Sequence, residues 1–593
     1  MNKMTRIAKN GEESQVSALS PLKRLTIEQR NRLLLILLCA VYRIIALLLL
    51  RTTFVPDEYY QSVEPAFKFV FNNSTKLVIP PLTWEWQSEY RIRSYIPILH
   101  YIQWFQLLQL LGIDNAFLIR NGPRVIQTFY SVIGDISLYF VSKILFVNED
   151  IARDITIVNL LSWSGTYCMS RTLINSYETV LQNVGAWFWI ICIKNESKKL
   201  WYDVFYVVLV TISVYSRPTS LLWWLIPMSV YIMMDQRRIV YCLLIGLCTC
   251  VACIIIDSYH YNATFNYPDG CLYAYNGSNE AIKFIIGQIC AWKVTITPLN
   301  FYIYNIHRSY AELFGIKTWY WTLIEGLPVV SGFYAPFIFY EIFVFLTHKF
   351  RGVPNVMLLN YLVFSALFYA ISLRIVTSHQ EYRFLLPCLP ALHMLLGIRF
   401  NQLKRNSSKW RILYFVSFVL NAILATALLT SHQNGAENSF KYLVSHINTK
   451  FHDIQVPATI NVYVVAPCYS FPGYSYIHDR YEANIQIRLH YLSCFPLQTQ
   501  HAVSANDIYH TLELEVGGDC VDDSPCNQVN YLVTFDTYKE SLSNILDSGN
   551  YYELYSVRHS FFKYDYDDAR ENKFVYIYST DQSCSTVQDI VNL

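Results

Sequence analysis

Eleven apolar stretches, separated by polar segments, dominate residues 33–430 of this chain. They lie at about residues 33–50, 125–147, 155–170, 180–193, 201–214, 220–234, 240–256, 327–346, 356–373, 384–398 and 412–429. A helix needs about 20 mostly apolar residues to cross the hydrocarbon core of a bilayer. The pattern therefore predicts an all-α polytopic membrane protein with about eleven transmembrane helices.

The segment at residues 95–111 is also apolar, but Gln103, Gln106 and Gln109 recur in it at every third position. A helix with such a polar stripe is typical of the membrane interface. We therefore expect this helix to lie along the bilayer surface. The alternative is an ordinary span that tolerates three glutamines.

Basic residues predict the orientation of the chain, because short loops rich in Lys and Arg face the cytoplasm. The tail at residues 1–32 carries seven Lys or Arg against three Glu, and the apolar stretch after it is expected to be an uncleaved signal anchor. Further basic clusters lie at residues 194–199, 237–238, 349–351 and 404–411. Together they predict a cytoplasmic N-terminus and a transmembrane domain over residues 33–430. The segments expected in the lumen are a first loop at 55–123, a second large loop at 257–326, the short loop at 379–383 and a C-terminal domain at 431–593.

The C-terminal domain has a different pattern from the rest of the chain. Residues 459–465, 531–535 and 574–578 alternate in polarity and are rich in β-branched residues and Tyr, which is typical of strands. We therefore predict a small lumenal α/β domain. Cys520 and Cys526 are close enough along the chain to form a disulfide in an oxidising compartment.

Composition supports the membrane assignment and narrows the possible partners. The chain is 53% hydrophobic and only 15% charged, and its formal net charge of +2 is too small to indicate a nucleic-acid partner. The sequence contains no nucleotide-binding glycine loop and no Cys/His spacing typical of a metal site. It therefore predicts no cofactor and no metal. A divalent ion held by Asp57, Glu58 and a substrate phosphate is left open.

Three carboxylates directly follow the first apolar stretch, at Asp57, Glu58 and Glu64. A carboxylate at a membrane boundary can take the proton from an acceptor hydroxyl when a sugar is transferred from a lipid phosphate. Pro56 would fix the backbone next to Asp57 and so restrict where that side chain points. Alternatively, Asp57 and Glu58 simply cap a helix that begins near Pro56.

Several motifs in this region resemble a known family. Residues 56–64 (Pro-Asp-Glu-Tyr-Tyr-Gln-Ser-Val-Glu), 83–86 (Thr-Trp-Glu-Trp) and 93–95 (Arg-Ser-Tyr) look like the first lumenal loop of the GT-C mannosyltransferases that use dolichyl-phosphate mannose. They are most similar to the GPI mannosyltransferases of the PIG-B type, which add the third mannose. The resemblance continues, in the family's order, at residues 170–180, 216–219, 378–387 and 467–470.

The resemblance implies a GT-C fold in the endoplasmic reticulum membrane. It also implies transfer of an α-1,2-linked mannose from dolichyl-phosphate mannose to the dimannosyl GPI-precursor lipid, with inversion by direct displacement and without a soluble cofactor. Asp57 would be the catalytic base. Glu58 would orient the acceptor or tune Asp57.

The remaining site residues are expected to bind substrate. Arg217, His379 and Arg383 are candidates for the donor phosphate, because cations near a leaving phosphate stabilise it. Each has a structural alternative: Arg217 ends a span, and Arg383 pairs with Glu381. The other candidates are Glu64, Trp84, Glu85, Trp86, Arg93, Arg171, Asn175 and Glu381.

Trp84 and Trp86 flank Glu85 and would form an aromatic platform for a sugar face, with the carboxylate reaching its hydroxyls. The alternative is an interfacial tryptophan belt. The chain departs from the family at Val55, where many relatives carry His, and in a longer segment between Glu64 and Trp84. These departures leave the acceptor open.

The nearest alternative function is a related transferase that acts on the fourth GPI mannose or on dolichol-linked oligosaccharide. A transporter or lipid flippase is an alternative of another class, in which charges would line a path through the membrane. The charges here gather at one predicted face and no inverted repeat is evident, which argues against transport.

Overall fold

A computed structural model describes the chain from residue 27 to residue 580, with gaps. The described residues are 27–72, 77–78, 82–194, 199–264, 294–347, 354–405, 409–451, 458–467, 469–479, 481, 485–491, 527–560 and 573–580. The predicted Cys520–Cys526 disulfide lies outside them.

The membrane region is built from helices, and all eleven predicted apolar stretches fall on them. The helices are α1 (Ile27–Leu49), α2 (Glu64–Phe71), α3 (Leu99–Leu111), α4 (Ala116–Phe146), α5 (Glu149–Leu160), α6 (Trp163–Met169), α7 (Ile174–Lys194), α8 (Leu200–Ser216), α9 (Ser220–Met234), α10 (Arg238–Thr264), α11 (Thr297–Phe301), α12 (Leu327–Ser331), α13 (Ala335–Thr347), α14 (Val356–Val376), α15 (Leu389–Arg405) and α16 (Lys409–Thr430). Among the described residues, seven helical segments are long and apolar enough to cross a membrane, and α8 and α9 are shorter apolar helices. The prediction of a mostly helical polytopic protein is confirmed.

The stretch predicted at residues 155–170 differs from the expectation, because it forms two helices, α5 and α6. The helix is interrupted at Ser162. The Ser162 hydroxyl accepts a hydrogen bond from the Gly165 amide (3.4 Å) and so caps α6. The Thr166 hydroxyl donates to the carbonyl of Leu160 at 2.7 Å. Serine and threonine side chains compete with the helical ladder in this way.

A buried polar cluster ties four of the helices together. Arg43 of α1 forms an ion pair with Asp135 of α4 (2.8 Å), and Asn159 of α5 donates to the same carboxylate (3.0 Å). His393 of α15 lies 3.0 Å from the Asn159 side-chain oxygen. Buried charges persist when they are paired and hydrogen-bonded, so this cluster fixes the arrangement of the four helices.

The segment between α1 and α4, called the first loop below, is folded against the membrane helices. Within it, α3 has 13 residues, which at 1.5 Å per residue gives a length of about 20 Å, too short to cross a core about 30 Å thick. Gln103, Gln106 and Gln109 are all exposed on α3. Both observations support the predicted interfacial position of this helix.

The C-terminal domain contains a six-stranded sheet and is an α/β domain as predicted. Its helices are α17 (Gly435–Lys450), α18 (Tyr474–Ile477) and α19 (Ser543–Ser548), and its strands are β1 (Leu77–Val78), β2 (Ala458–Val465), β3 (Ile485–Tyr491), β4 (Asn527–Phe535), β5 (Tyr552–Arg558) and β6 (Phe574–Ser579). The strand order is β1-β3-β2-β4-β6-β5; the pairings among the first four strands are parallel, and β6 is antiparallel to both of its neighbours, β4 and β5. The three predicted strands correspond to β2, β4 and β6.

The first loop is physically part of this sheet, which the sequence did not indicate. Strand β1 comes from the first loop and pairs with β3, with Leu77 opposite Ile487. A second connection is the buried ion pair between Arg124 of α4 and Glu437 of α17, at 2.8 Å. The C-terminal domain is therefore held against both the first loop and the membrane helices.

Candidate active site

The turn that carries the acidic pair begins directly after Pro56. The amides of Tyr59 and Tyr60 both donate to the Pro56 carbonyl at 3.0 Å, and a π-helical segment follows over Tyr59–Val63. π-helical turns are frequent at functional sites. A helix therefore does begin near Pro56, as one alternative expected, but the carboxylate of Asp57 binds a distant residue instead of capping it.

That distant residue is Arg383, which lies between two carboxylates. Its Nη1 is 2.5 Å from Asp57 Oδ2, and its Nη2 is 2.6 Å from Glu381 Oε1. The Asp57 side chain keeps 22% of its surface exposed, whereas that of Arg383 keeps 6%. Arg383 therefore orients Asp57 and leaves part of its carboxylate accessible.

His379 completes this group of charges. Its Nε2 is 3.0 Å from Glu381 Oε1, and its Nδ1 is 3.1 Å from the carbonyl of Gly315. Burial alone would raise the pKa of Glu381, but the charge of Arg383 and the hydrogen bond from His379 outweigh it and hold that pKa well below its usual range. Burial would lower the pKa of His379, but Glu381 outweighs it and raises that pKa, which favours the imidazolium.

Glu58 points away from Asp57 and into the protein. Its carboxylate pairs with Arg171 Nη1 (3.0 Å) and accepts from the Phe54 amide (3.0 Å); the side chains of Glu58 and Arg171 are 1% and 0% exposed. Arg171 also donates to the Thr52 carbonyl at 2.6 Å. Because the Glu58 side chain is buried, it cannot contact an acceptor. Of its two expected roles, the structure favours an effect on Asp57, transmitted through the backbone. Arg171 likewise supports the loop from within.

A second buried cation lies near Arg383. Arg217, between α8 and α9, forms an ion pair with Glu178 of α7 (3.0 Å), and the Asn175 side-chain oxygen, oriented toward it, accepts at 3.3 Å. The Arg217 guanidinium stacks over the Phe384 ring at 4.7 Å, and that of Arg383 lies 5.4 Å from the same ring. Phe384 therefore holds the two guanidinium groups in one neighbourhood. Phe384 was not predicted as a site residue, although it follows Arg383 in the same motif.

Glu85 and Arg93 lie near the same group. Arg93 Nη2 is 2.5 Å from Glu85 Oε1, and Gln61 donates to Glu85 Oε2 at 3.3 Å. Gln61 belongs to the π-helical turn that follows Asp57, so the pair of Glu85 and Arg93 lies beside this turn. The structure thus brings together, around Asp57, the predicted residues Glu85, Arg93, His379, Glu381 and Arg383.

The structure contradicts the proposed platform of Trp84 and Trp86. Their rings are 4% and 0% exposed. Trp84 packs edge-on against Tyr90, and the Trp86 Nε1 donates to the Tyr60 carbonyl at 2.9 Å. Neither ring offers a face to a sugar, because Trp84 also packs against Tyr310 and Phe314, and Trp86 packs against Tyr95 and Tyr261.

Glu64 also has a different position from the one expected of a substrate ligand. Its buried carboxylate accepts from the Ser475 hydroxyl and from the Gly473 amide (3.2 Å), both in the C-terminal domain. Burial raises the pKa of Glu64 to about 7, and these hydrogen bonds offset the effect only in part. Glu64 therefore connects the first loop to the C-terminal domain.

The described residues include no group of three His, Cys, Asp or Glu side chains able to hold a metal ion. Asp57 and Glu58, the pair considered for a divalent ion, face different partners, Arg383 and Arg171. The geometry gives a partly exposed carboxylate, a cluster of guanidinium groups and the imidazole of His379. This set can accept a proton and stabilise a phosphate.

Comparison with known proteins identifies relatives over most of the chain. The model of the Alg9-like mannosyltransferase family matches residues 34–478. GPI alpha-1,2-mannosyltransferase 3 of Homo sapiens is 28% identical over 520 residues, covering 87% of this chain and 82% of that protein. GPI mannosyltransferase 3 of Schizosaccharomyces pombe is 24% identical over 469 residues, covering 76% and 81%.

Among solved structures, ArnT from Cupriavidus metallidurans bound to undecaprenyl phosphate is similar, with a TM-score of 0.54 and 10% identity. The alignment covers 94% of this chain and 99% of ArnT. At this identity the likeness establishes a shared fold, and it agrees with the GT-C architecture expected from the motifs.

Proposed function

The chain belongs to the Alg9-like mannosyltransferase family, and on this premise we propose that it transfers the third, α-1,2-linked mannose of the GPI precursor from dolichyl-phosphate mannose. The relatives whose names specify the third GPI mannosyltransferase support the choice of acceptor. The protein is then a multi-pass enzyme of the endoplasmic reticulum with Asp57, the second large loop and the C-terminal domain in the lumen.

In the proposed reaction, a hydroxyl of the dimannosyl acceptor attacks the anomeric carbon of the donor mannose. The bond from that carbon to the phosphate oxygen breaks as the new glycosidic bond forms, so the configuration inverts. Asp57 accepts the hydroxyl proton, and the dolichyl phosphate leaves with the electron pair of the broken bond. The phosphate is a good leaving group and needs no acid.

The observation that carries this proposal is the contact between Asp57 and Arg383. It places a partly exposed carboxylate next to a guanidinium whose Nε is buried without a hydrogen-bond partner among the described residues. A buried donor without a partner is costly, and a phosphate oxygen would satisfy it. Two neighbouring groups would share the charge of the phosphate. They are Arg217, across the Phe384 ring, and His379.

The test is complementation of a cell line that lacks the third GPI mannose, scored by GPI-anchored protein at the cell surface. The intact chain should restore the surface signal. The variant Asp57→Asn keeps the shape of the side chain but cannot accept the proton, so it should not restore the surface signal. Asp150→Asn, at an exposed acid paired with Arg153, is the matched control and should behave as the intact chain does.

Microsomes supplied with labelled donor and one acceptor at a time then identify the acceptor. Transfer to the dimannosyl precursor supports the proposal. Transfer only to a trimannosyl precursor or to dolichol-linked oligosaccharide would refute the choice of acceptor, and full activity of Asp57→Asn at equal protein level would refute the role of the base.

A further inference from the structure

The loop that follows strand β2 occupies a position where parallel sheets commonly bind ligands. Strand β2 lies between β3 and β4, and the chain runs from β2 to β3 on one side before it returns to β4 on the other. Ligands of such sheets bind at the carboxyl ends of the strands where the connections diverge. Here that end is followed by Ala466 and Pro467 and then by Tyr469 and Ser470, and the Tyr469 ring packs against Tyr60 of the first loop.

Tyr469 in this loop has an unusual backbone conformation. Its φ is +62°, in the left-handed region that is unfavourable for a residue with a side chain. Such conformations persist where the surroundings impose them and are common at binding sites. The next residue, Ser470, has a buried hydroxyl without a hydrogen-bond partner among the described residues.

The Tyr469 side chain points toward the residues around Asp57. Its half-buried ring lies 4.9 Å from the Tyr60 ring, centroid to centroid. The next residue, Gln61, donates to Glu85 at 3.3 Å, and Glu85 binds Arg93 at 2.5 Å. Because Tyr60 and Gln61 belong to the π-helical turn that follows Asp57, these contacts place Tyr469 and Glu85 beside the turn that carries the candidate base.

The chemistry of this series differs from that of the phosphate cations. Glu85 and Arg93 neutralise each other, and the tyrosine rings add aromatic faces and hydroxyls. Carboxylates and aromatic faces suit the hydroxyls and the apolar faces of an uncharged sugar, whereas a neutralised ion pair offers no net positive charge to a phosphate. Arg217, His379 and Arg383 remain the cations for the donor.

We propose that Tyr469 and Glu85 bind the saccharide head of the acceptor, so that the C-terminal domain selects which glycan reaches Asp57. This inference rests on the proposed function and extends it to a residue outside the membrane domain. Tyr469 takes the place that Trp84 and Trp86 were expected to fill.

The position of Tyr469 relative to the first loop is fixed by two contacts made by the residues that follow it. The Tyr60 hydroxyl donates to the Phe471 carbonyl at 2.9 Å, and Glu64 accepts from the Gly473 amide at 3.2 Å. A binding site whose residues are held by such supporting contacts loses little freedom when the ligand binds.

The test measures the acceptor KM and the donor KM separately in microsomes. Tyr469→Gly removes the ring and relieves the backbone, because glycine adopts positive φ without cost. It should raise the acceptor KM about 10-fold, the equivalent of about 1.4 kcal/mol of lost contact, and leave the donor KM within twofold. Tyr576→Ala, at a half-buried tyrosine on β6, is the control and should change neither value.

Three outcomes would decide the matter. An unchanged acceptor KM in a folded Tyr469→Gly protein, or an equal rise in both KM values, would overturn the inference while leaving the proposed function intact. Absence of any transfer by the intact chain would instead overturn the proposed function. If Tyr469→Gly does not fold, Tyr469→Asn, which also tolerates positive φ, replaces it in the same measurement.

Discussion

The buried pair of Glu58 and Arg171 allows a quantitative test of how the first loop is held. Both side chains are almost fully buried, so little solvent screens them. Removing one partner of a buried ion pair leaves the other charge uncompensated, which costs about 3–5 kcal/mol. Arg171→Met should fall in this range. Glu58→Gln should lie at its lower end, because Arg171 keeps its bonds to the carbonyls of Thr52 and Tyr167.

The double variant separates the pair energy from other effects. In Glu58→Gln with Arg171→Met no charge is left unpaired, so its loss of stability should be smaller than the sum of the two single losses. The measurement is the apparent melting temperature of detergent-solubilised protein, followed by fluorescence-detected size exclusion for all four chains. A double variant that loses the full sum, or single variants as stable as the parent, would refute the reasoning.

The same variants distinguish a positioning role from contact with the acceptor. If Glu58 acts by placing the turn that carries Asp57, the folded Glu58→Gln protein should show a lower kcat and an unchanged acceptor KM. A raised acceptor KM with an unchanged kcat would instead mean that Glu58 contacts the acceptor, in conflict with its burial.

Further predictions concern Arg383 and the contact between the first loop and the C-terminal domain. Arg383→Lys keeps the charge but can replace only one of the two charge-assisted hydrogen bonds, each worth about 1.5–3 kcal/mol, so kcat/KM should fall by about 10- to 150-fold; a fall of less than threefold would contradict this. Folding raises the pKa of Glu64 from 4.5 to about 7, so the folded chain binds this proton more tightly than the unfolded chain. The protonated carboxyl therefore stabilises the fold by about 3 kcal/mol below pH 4.5, and this stabilisation is lost as the pH rises toward about 7. Glu64→Gln should therefore flatten the dependence of the melting temperature on pH over that window, and a slope identical to the parent's would exclude Glu64 as its source. Gly473→Ala would place a Cβ 2.5 Å from the Glu64 carboxyl and should destabilise the protein by about 1–3 kcal/mol. The control Gly246→Ala, inside α10, meets no atom closer than 3.7 Å and should not lower the melting temperature, because Ala is favoured over Gly in a helix.

Much of the fold could be predicted from the sequence because a bilayer imposes a simple requirement on each segment. Apolar length indicated the long helices of the membrane region, although not the short α2 and α11, and alternation indicated three strands of the C-terminal domain. The break at Ser162 was not predicted, because a hydroxyl that caps a helix looks the same in the sequence as one that points elsewhere. The buried pair of Arg43 and Asp135 was missed for a related reason, since the two residues are far apart in the chain.

The candidate site was predicted where several motifs converge and not where burial decides the role of a residue. The resemblance supplied Asp57 and Arg383, and the fold brings them into contact. Trp84 and Glu64 were expected to meet substrate, but the sequence does not reveal whether an indole or a carboxylate faces a cleft or the interior. Tyr469 carried no signal beyond its place in a motif, because its left-handed backbone is visible only in three dimensions.

Strand β1 has a consequence for the biosynthesis of the protein. Its partner β3 is made about 400 residues later, which at about 5–20 residues per second is a delay of about 20–80 s. Until then the edge of the first loop stays unpaired, and the ribosome has already released most of the membrane helices. A chain truncated after the last membrane helix would therefore lack the partner strand of β1. Its first loop would keep an unpaired strand edge, which chaperones bind.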